Sequence, residues 1–162
     1  MTDQRSLFES LHNSYQSMVL QMCTGFVKGD KDVAADLSQD VFINVWHALP
    51  DFRSESSHKT WIYRITVNTC LQYIRKSKNK IGVPIEHAGV MTEPANHEEE
   101  RAASLVGAIG QLENVDRLII MMVLDELEYE EIARVMGISE NNLRVKIHRI
   151  KSKLKTLLSH GE

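Results

Sequence analysis

The end of the chain carries a dense group of positive charges of the kind that binds nucleic-acid phosphates. Residues 140–155 contain four lysines, two arginines and the single acid Glu140, although the whole chain has a formal net charge of -3. Arg144 and Arg149 supply planar guanidinium donors suited to guanine edges, and the amide of Asn142 suits adenine. The lysines suit phosphates, which position a protein on the duplex but do not read its sequence. This pattern favours a segment that reads duplex DNA.

A second group combines an aromatic ring with cations and amides at helical spacing. Trp61 is followed at i+3, i+7, i+11 and i+14 by Arg64, Asn68, Gln72 and Arg75. Stacking on an aromatic side chain supplies about 1–3 kcal/mol per base, and cations follow the backbone of a single strand. The stripe therefore predicts contact with unpaired bases. The alternative is that Trp61 anchors a helical core.

The loop before this stripe could cup an extruded base with its hydroxyl and backbone groups. It runs over residues 52–57 and contains Phe52, Arg53 and Ser54. Taken alone, it is an ordinary polar loop.

The segment 30–49 has apolar residues on more than one side of its predicted helix. One line of small and aliphatic residues suits a core, and a second apolar face predicts a second partner. The alternative is that Phe42 and Trp46 pack under the first helix. The second face and the polar residues beside it comprise Asp36, Gln39, Asp40, Phe42, Ile43 and Trp46.

These groups require helices to position them. Apolar residues recur at helical spacing over about 7–26, 30–49 and 57–77, with Asp30 as a cap and Pro50 as a stop. Four more helices are predicted near 98–112, 114–125, 128–136 and 140–158. No alternating strand pattern or glycine-rich phosphate loop is present.

The periodicity fails between 77 and 97, where Gly82, Pro84, Gly89 and Pro94 interrupt the chain. We therefore predict an all-α fold of two small helical domains joined by a flexible linker. The first is a three- to four-helix bundle over 1–78, the linker covers 79–97, and the second covers 98–162. About 20 extended residues can span up to about 70 Å.

The last two predicted helices have the spacing of a helix-turn-helix. Ala133 is small enough for the helices to cross closely, Gly137 permits the turn, Ile138 fills the core, and Ser139 can cap the second helix. The alternative is an ordinary helical hairpin whose charged face is merely solvated. The turn residues together with the cations after them favour DNA binding.

Other classes of function have little support. Cys23 and Cys70 stand alone in the sequence, so they predict small buried side chains and neither a metal site nor a disulfide. The histidines are scattered, and no nucleophile lies at recognisable spacing from a base, so we expect no catalytic residue and no cofactor. The N-terminus lacks a signal-peptide pattern and no apolar run could span a bilayer, so we expect a cytoplasmic chain without membrane insertion.

Three motifs in order resemble those of the extracytoplasmic-function (ECF) RNA polymerase sigma factors. They are DLSQDVF at 36–42; FR at 52–53 with TWIYRI at 60–65 and Asn68; and YEEIA at 129–133 with GIS at 137–139 and HR at 148–149. The chain departs from the family pattern at His58, where a phenylalanine is usual. Asn141, Asn142 and Leu143 replace the commoner Gly-Thr-Val, which makes the promoter sequence harder to infer.

The resemblance implies the partners and the site residues. The first module, a sigma region 2, would dock on core RNA polymerase and read the minus-10 element of promoter DNA. The second, a sigma region 4, would read the minus-35 element, and an anti-sigma factor would hold the protein inactive. The implied minus-10 residues are Phe52, Arg53, Ser54, Lys59, Trp61, Arg64, Asn68, Gln72 and Arg75. The implied minus-35 residues are Asn141, Asn142, Arg144, Val145, Lys146, His148, Arg149 and Lys151. The implied polymerase-binding residues are Asp36, Gln39, Asp40, Phe42, Ile43 and Trp46.

The resemblance therefore predicts a factor that directs promoter-specific transcription initiation. The runner-up is an autonomous helix-turn-helix regulator that dimerises through its N-terminal helices. This regulator would leave the stripe that begins at Trp61 unexplained. In addition, domains whose net charge is so close to zero would bind non-specific DNA weakly on their own. A helical adaptor without a DNA role would require the basic helix to be incidental.

Overall fold

The computed structural model describes residues 2–78 and 96–160, and all of their regular structure is helical. The first module consists of α1 (Thr2–Phe26), α2 (Lys31–Ala48), a 3-10 turn (Leu49–Asp51) and α3 (His58–Lys78). The second module consists of α4 (His97–Gly110), α5 (Asn114–Leu124), α6 (Tyr129–Met136) and α7 (Glu140–Ser159). The all-α prediction is confirmed, and most of the predicted linker, residues 79–95, lies outside the described residues.

Local signals fix the helix ends in the first module. Lys28 and Gly29 both adopt positive φ, which ends α1. The Asp30 side chain accepts a hydrogen bond of 3.2 Å from the Val33 amide and so caps α2. The α-helix stops one residue before Leu49 and Pro50, because proline cannot continue the hydrogen-bond ladder.

The predicted helix-turn-helix forms in the second module. Gly137 has φ 68°, the left-handed conformation that a residue without a Cβ adopts without steric cost. The turn is closed by a hydrogen bond of 3.1 Å from the Ile138 amide to the Ala133 carbonyl. The Ser139 hydroxyl accepts a bond of 3.1 Å from the Asn142 amide and caps α7.

The two modules pack directly against each other. Helix α5 contacts α1, helix α6 contacts α3, and α4 also contacts α1. Buried residues of both modules join in one apolar cluster that includes Phe26, Tyr63, Leu118, Ile132 and Leu143. The two helical bundles are therefore in contact, and no helix of the described chain has the length and apolar character needed to cross a membrane.

Candidate nucleic-acid and partner interfaces

Helix α7 presents one apolar edge to the second module and the opposite side to solvent. The buried edge consists of Leu143, Ile147, Ile150 and Leu154. We call the opposite side the recognition face. Its exposed residues are Asn141, Asn142, Arg144, Val145, His148, Arg149 and Lys151, with Lys146 half-buried beside them.

Arg144 is held in place by two contacts within the helix-turn-helix. Its Nη2 donates to Oε1 of Glu140 at 2.9 Å, and its guanidinium carbon lies 5.5 Å from the centre of the Tyr129 ring. An arginine fixed in this way loses less side-chain freedom when it binds a base edge. Tyr129 and Glu140 therefore support a residue of the recognition face.

The loop before α3 is organised around aromatic rings. The Phe52 ring lies 4.7 Å from the His58 ring at 30° and 4.8 Å from the Trp61 ring at 50°. The His58 and Trp61 rings therefore lie on either side of a cluster centred on Phe52. Ser54 adopts φ 58°, and the hydroxyl of Ser57 accepts a bond of 3.1 Å from the Thr60 amide at the start of α3.

A cleft of about 490 Å³ opens beside these rings. This volume falls within the range of about 300–1,000 Å³ typical of ligand sites. Phe52 and Trp61 supply rings to it, and Arg53 and Arg64 supply cations. We call it the stacking cleft. Two residues of α6, Arg134 and Val135, form part of its lining.

The predicted stripe continues along α3 from the stacking cleft. Trp61 is half-buried and packs against the core, so it both anchors the module and borders the cleft. The other predicted minus-10 residues outside the loop are exposed: Lys59, Arg64, Asn68, Gln72 and Arg75. The inward side of α3 is tied to α2 by a hydrogen bond of 3.0 Å from Asn44 to Thr69.

The third predicted surface lies on α2. One of its residues, Phe42, is not on the surface, contrary to the sequence prediction. Phe42 is only 6% exposed, because its ring packs against His12 at 4.6 Å and near Phe8 at 6.4 Å. The alternative, packing under the first helix, therefore describes Phe42. Ile43 is 53% exposed, and Trp46 is 39% exposed while its ring meets Phe8 at 5.3 Å.

The exposed residues border an apolar groove of about 550 Å³ between α1 and α2, which Phe42 supports from beneath. Phe8 and His12 form its other wall, and sequence reasoning missed both because their own helix reads as an ordinary amphipathic one. We call the exposed residues the docking face: Asp36, Gln39, Asp40, Ile43 and Trp46.

Sequence reasoning also missed Arg117, the only charged residue that is buried in the described part of the chain. It is 4% exposed, and its Nε donates to the Phe26 carbonyl of α1 at 3.0 Å. Its other nitrogens donate to the Leu112 carbonyl at 2.6 Å and to the Asn114 side chain. Burial lowers the pKa of Arg117. Nothing in the sequence indicated that Arg117 is buried, because a charged residue on a predicted helix is normally exposed.

Both cysteines are buried, as predicted. A side-chain hydrogen bond with Cys23, together with burial, raises the pKa of the Cys70 thiol, while the nearby Arg117 acts in the opposite sense. Within residues 2–78 and 96–160, no three histidine, cysteine or acidic side chains come close enough to hold a metal ion.

Two family descriptions match the chain. Residues 11–80 match Sigma-70 region 2, and residues 102–154 match Sigma-70 region 4. The sequence is 32% identical to the ECF RNA polymerase sigma-E factor of Escherichia coli (strain K12), over 91% of this chain and 83% of that protein. It is 26% identical to the ECF RNA polymerase sigma factor SigM of Bacillus subtilis (strain 168), over 94% and 96% of the two chains.

Two solved structures share the fold. One is the sigma factor RpoE from Bartonella quintana in complex with the anti-sigma factor NepR, with a TM-score of 0.79 at 22% identity over 94% of this chain and 96% of that one. The other is CnrH in complex with the cytosolic domain of CnrY, with a TM-score of 0.71 at 23% identity over 98% and 91%.

Proposed function

Because this chain belongs to the ECF RNA polymerase sigma factors and directs promoter-specific initiation by RNA polymerase, we propose a separate role for each of its three exposed surfaces. The docking face binds core RNA polymerase. The stacking cleft and the stripe along α3 read the minus-10 element. The recognition face of α7 reads the minus-35 element.

The observation that carries this assignment is the difference in shape and chemistry between two surfaces, one on α7 and one lined mainly by α3 and the loop before it. The recognition face is convex, cationic and rich in base-reading donors, which suits the major groove of a duplex. The stacking cleft is concave and combines the rings of Phe52 and Trp61 with Arg53 and Arg64. This combination suits an unpaired base, because a base inside a duplex cannot reach a cleft wall.

The docking face is assigned to the polymerase because it combines exposed apolar side chains with acidic ones. Ile43 and Trp46 leave large apolar areas in water beside the carboxylates of Asp36 and Asp40. An exposed apolar patch rimmed by acids suits a protein partner that offers apolar and basic side chains. Nucleic acid would be repelled by the same carboxylates.

Footprinting of the holoenzyme on one promoter tests the division between the two DNA surfaces. With Trp61→Ala, we expect the permanganate reactivity of thymines in the minus-10 region to decrease about 5- to 150-fold, since about 1–3 kcal/mol of stacking on the captured base is lost. The minus-35 footprint should persist. Arg149→Ala should weaken both signals, because the duplex is then no longer held.

Two matched variants control this experiment. Trp61→Phe keeps an aromatic ring and should retain most of the opening. Arg5→Ala removes an exposed cation on α1 that belongs to neither proposed DNA surface, and should leave both signals unchanged. Equal loss of both footprints in Trp61→Ala and Arg149→Ala would contradict the division of roles.

Pull-down with core RNA polymerase tests the docking face. Ile43→Glu places a charge at a half-exposed site, so we expect the first module to fold and the affinity for core polymerase to fall at least tenfold. Leu124→Glu makes the same change at a 50% exposed leucine of the second module and should bind normally. Normal binding of core polymerase by Ile43→Glu would show that the docking face is not the polymerase-binding surface.

Two further assignments follow from the family. We propose an anti-sigma partner for this chain, because the sigma factor RpoE from Bartonella quintana, which shares its fold, was solved in complex with the anti-sigma factor NepR. We also propose a cytoplasmic site of action, where core polymerase and promoter DNA are found. Membership of the sigma-factor family does not favour the autonomous helix-turn-helix regulator.

A further inference from the structure

The two arginines of the recognition face differ in how they are held. Arg144 donates from Nη2 to Oε1 of Glu140 at 2.9 Å and lies against the Tyr129 ring. Arg149, further along α7, makes no hydrogen bond, ion pair or ring contact with any residue that the structure describes. Of the two, Arg144 alone therefore has a fixed orientation before DNA binds.

The groups that hold Arg144 are themselves fixed by the fold. Tyr129 is the first residue of α6, and its half-buried ring packs against the apolar core. Glu140 is the first residue of α7 and follows the Ser139 cap directly. Helices α6 and α7 pack on each other across the turn at Gly137. The guanidinium is therefore held by the first residue of each helix of the helix-turn-helix.

These two contacts leave most of the guanidinium donors free. Glu140 accepts from Nη2 alone, so the N–H bonds of Nη1 have no acceptor among the described residues. The Arg144 side chain is 60% exposed, so a ligand can reach them. Two parallel N–H bonds match O6 and N7 on the major-groove edge of guanine, and no other base offers two acceptors there. The held arginine therefore suits guanine.

We propose that Tyr129 and Glu140 are positioning residues, which make Arg144 select a guanine in the minus-35 element. The inference rests on the proposed function and deepens it, because it adds a base and two supporting residues to the role of the recognition face. A freely rotating arginine reaches phosphates and several base edges, so it distinguishes bases poorly. An arginine held in one orientation meets a single edge with its donors aligned and loses less side-chain freedom on binding.

Glu140 should affect overall affinity and base preference in different ways. Its carboxylate lies at the end of α7 assigned to the major groove, where it repels the phosphates. Glu140→Ala should therefore tighten binding to every sequence. The same change releases Arg144, so the preference for guanine should fall. A residue that only stabilised the fold would instead weaken binding to all sequences alike and leave that preference unchanged.

Holoenzyme binding to promoter variants tests the inference. Each minus-35 position of one promoter mapped by transcript sequencing is changed to all four bases, and base preference is the ratio of the affinities. Arg144→Ala should abolish the guanine preference at one position, an effect of about 5- to 150-fold from about 1–3 kcal/mol. Tyr129→Leu should reduce this preference about two- to fivefold, since about 0.5–1 kcal/mol of an exposed cation–π contact is lost. Tyr129→Phe keeps a ring and should retain the preference.

Two controls are matched to these variants. Glu130 of α6 accepts from Nη2 of Arg134 at 2.9 Å, which is the same pairing four residues apart but outside the recognition face. Glu130→Ala should therefore leave the guanine preference unchanged. Adding Tyr129→Leu to Arg144→Ala should cause no further loss of preference, because the ring acts through the arginine.

The inference is overturned if Arg144→Ala removes no guanine preference, if Tyr129→Leu weakens binding equally for all four bases, or if Glu140→Ala leaves the preference unchanged. In any of these cases, a changed base preference at another position in Arg149→Ala would leave the proposed function standing. If the parent holoenzyme binds every minus-35 variant equally, the proposed function fails, and the inference fails with it.

Discussion

Val145 is the residue that most distinguishes the recognition face from a generic cationic surface. It is 51% exposed and lies opposite the buried edge of α7, between Asn141 and Arg149. An apolar side chain at the centre of a polar DNA-reading surface suits the C5-methyl group of thymine. We predict that Val145 contacts a thymine methyl in the minus-35 element.

Replacement of each minus-35 thymine by deoxyuridine measures this contact. Removing the methyl at one position should weaken holoenzyme binding about fourfold, the effect of about 0.8 kcal/mol for one buried carbon group. Val145→Ser should abolish the difference between thymine and uracil at that position alone. If every thymine can be replaced without effect in the parent chain, the prediction is wrong.

Cys70 gives the stability of the protein a dependence on alkaline pH. The hydrogen bond with Cys23 and burial raise the pKa of Cys70 in the folded chain. An unfolded cysteine loses its proton at about pH 8.5. The unfolded state therefore binds fewer protons above that pH. The stabilisation is complete below about pH 8.5 and falls by about 1.4 kcal/mol per pH unit above it.

Urea unfolding of the parent chain and Cys70→Ala, between about pH 7 and about pH 10, checks this prediction. The variant has no thiol at position 70 and should lose stability less steeply with rising pH, although its overall stability is lower because a buried side chain is truncated. If the free energy of unfolding fell equally steeply with pH in the two proteins, Cys70 would ionise equally in the folded and unfolded states, which would contradict the prediction.

Replacement by alanine should change the free energy of unfolding in opposite directions at two helix-associated glycines, Gly137 and Gly107, because only Gly137 has a positive φ. Gly137 needs a positive φ at the turn between α6 and α7, and a Cβ there would meet nothing within 4 Å. Gly137→Ala should therefore destabilise the protein by about 1–2 kcal/mol through backbone conformation alone. Gly107, in α4 and equally free of neighbours, should give a stabilisation of about 0.5–1 kcal/mol.

Denaturant unfolding of the two variants measures both signs in one experiment. Gly137→Asn provides a control, because asparagine tolerates the left-handed conformation better than alanine and should recover part of the loss. A loss of stability on Gly107→Ala as large as that on Gly137→Ala would mean that the turn conformation is not what Gly137 provides.

Helix boundaries were predictable because their causes are local. Asp30, Pro50, Gly137 and Ser139 act within one turn of their own position, so the sequence alone placed most helix ends within a residue or two of their positions in the structure. The exposed cations of α3 and α7 were predictable for the same reason, since helical spacing puts them on one side.

Features that depend on packing between elements were not predictable from single helices. The spacing of Phe42 predicts an outer face of α2, but α1 covers this residue through Phe8 and His12. The burial of Arg117 depends on the Phe26 carbonyl, which is 91 residues away in sequence. Periodicity along one helix carries no information about which neighbouring helix will cover a given side chain.

The weak overall charge of the chain is consistent with a factor that works within a larger assembly. The net charge is -3, and the cations are concentrated on α7 and along α3. Non-specific affinity for DNA rises with the number of phosphates neutralised, so this chain alone should bind DNA weakly at physiological salt. Under the proposed roles, core polymerase supplies the affinity, and the recognition face and the stacking cleft supply the choice of promoter.

Reconstituted transcription from purified components shows directly whether the chain gives core polymerase its choice of promoter. Core polymerase, the chain and a promoter mapped by transcript sequencing should together give transcripts from one defined start site, and omission of the chain should abolish them. The chain without core polymerase should shift that promoter only weakly and lose the shift as salt rises. Tight, salt-resistant promoter binding by the chain alone, or defined transcripts from core polymerase without it, would show that the chain does not act through the polymerase.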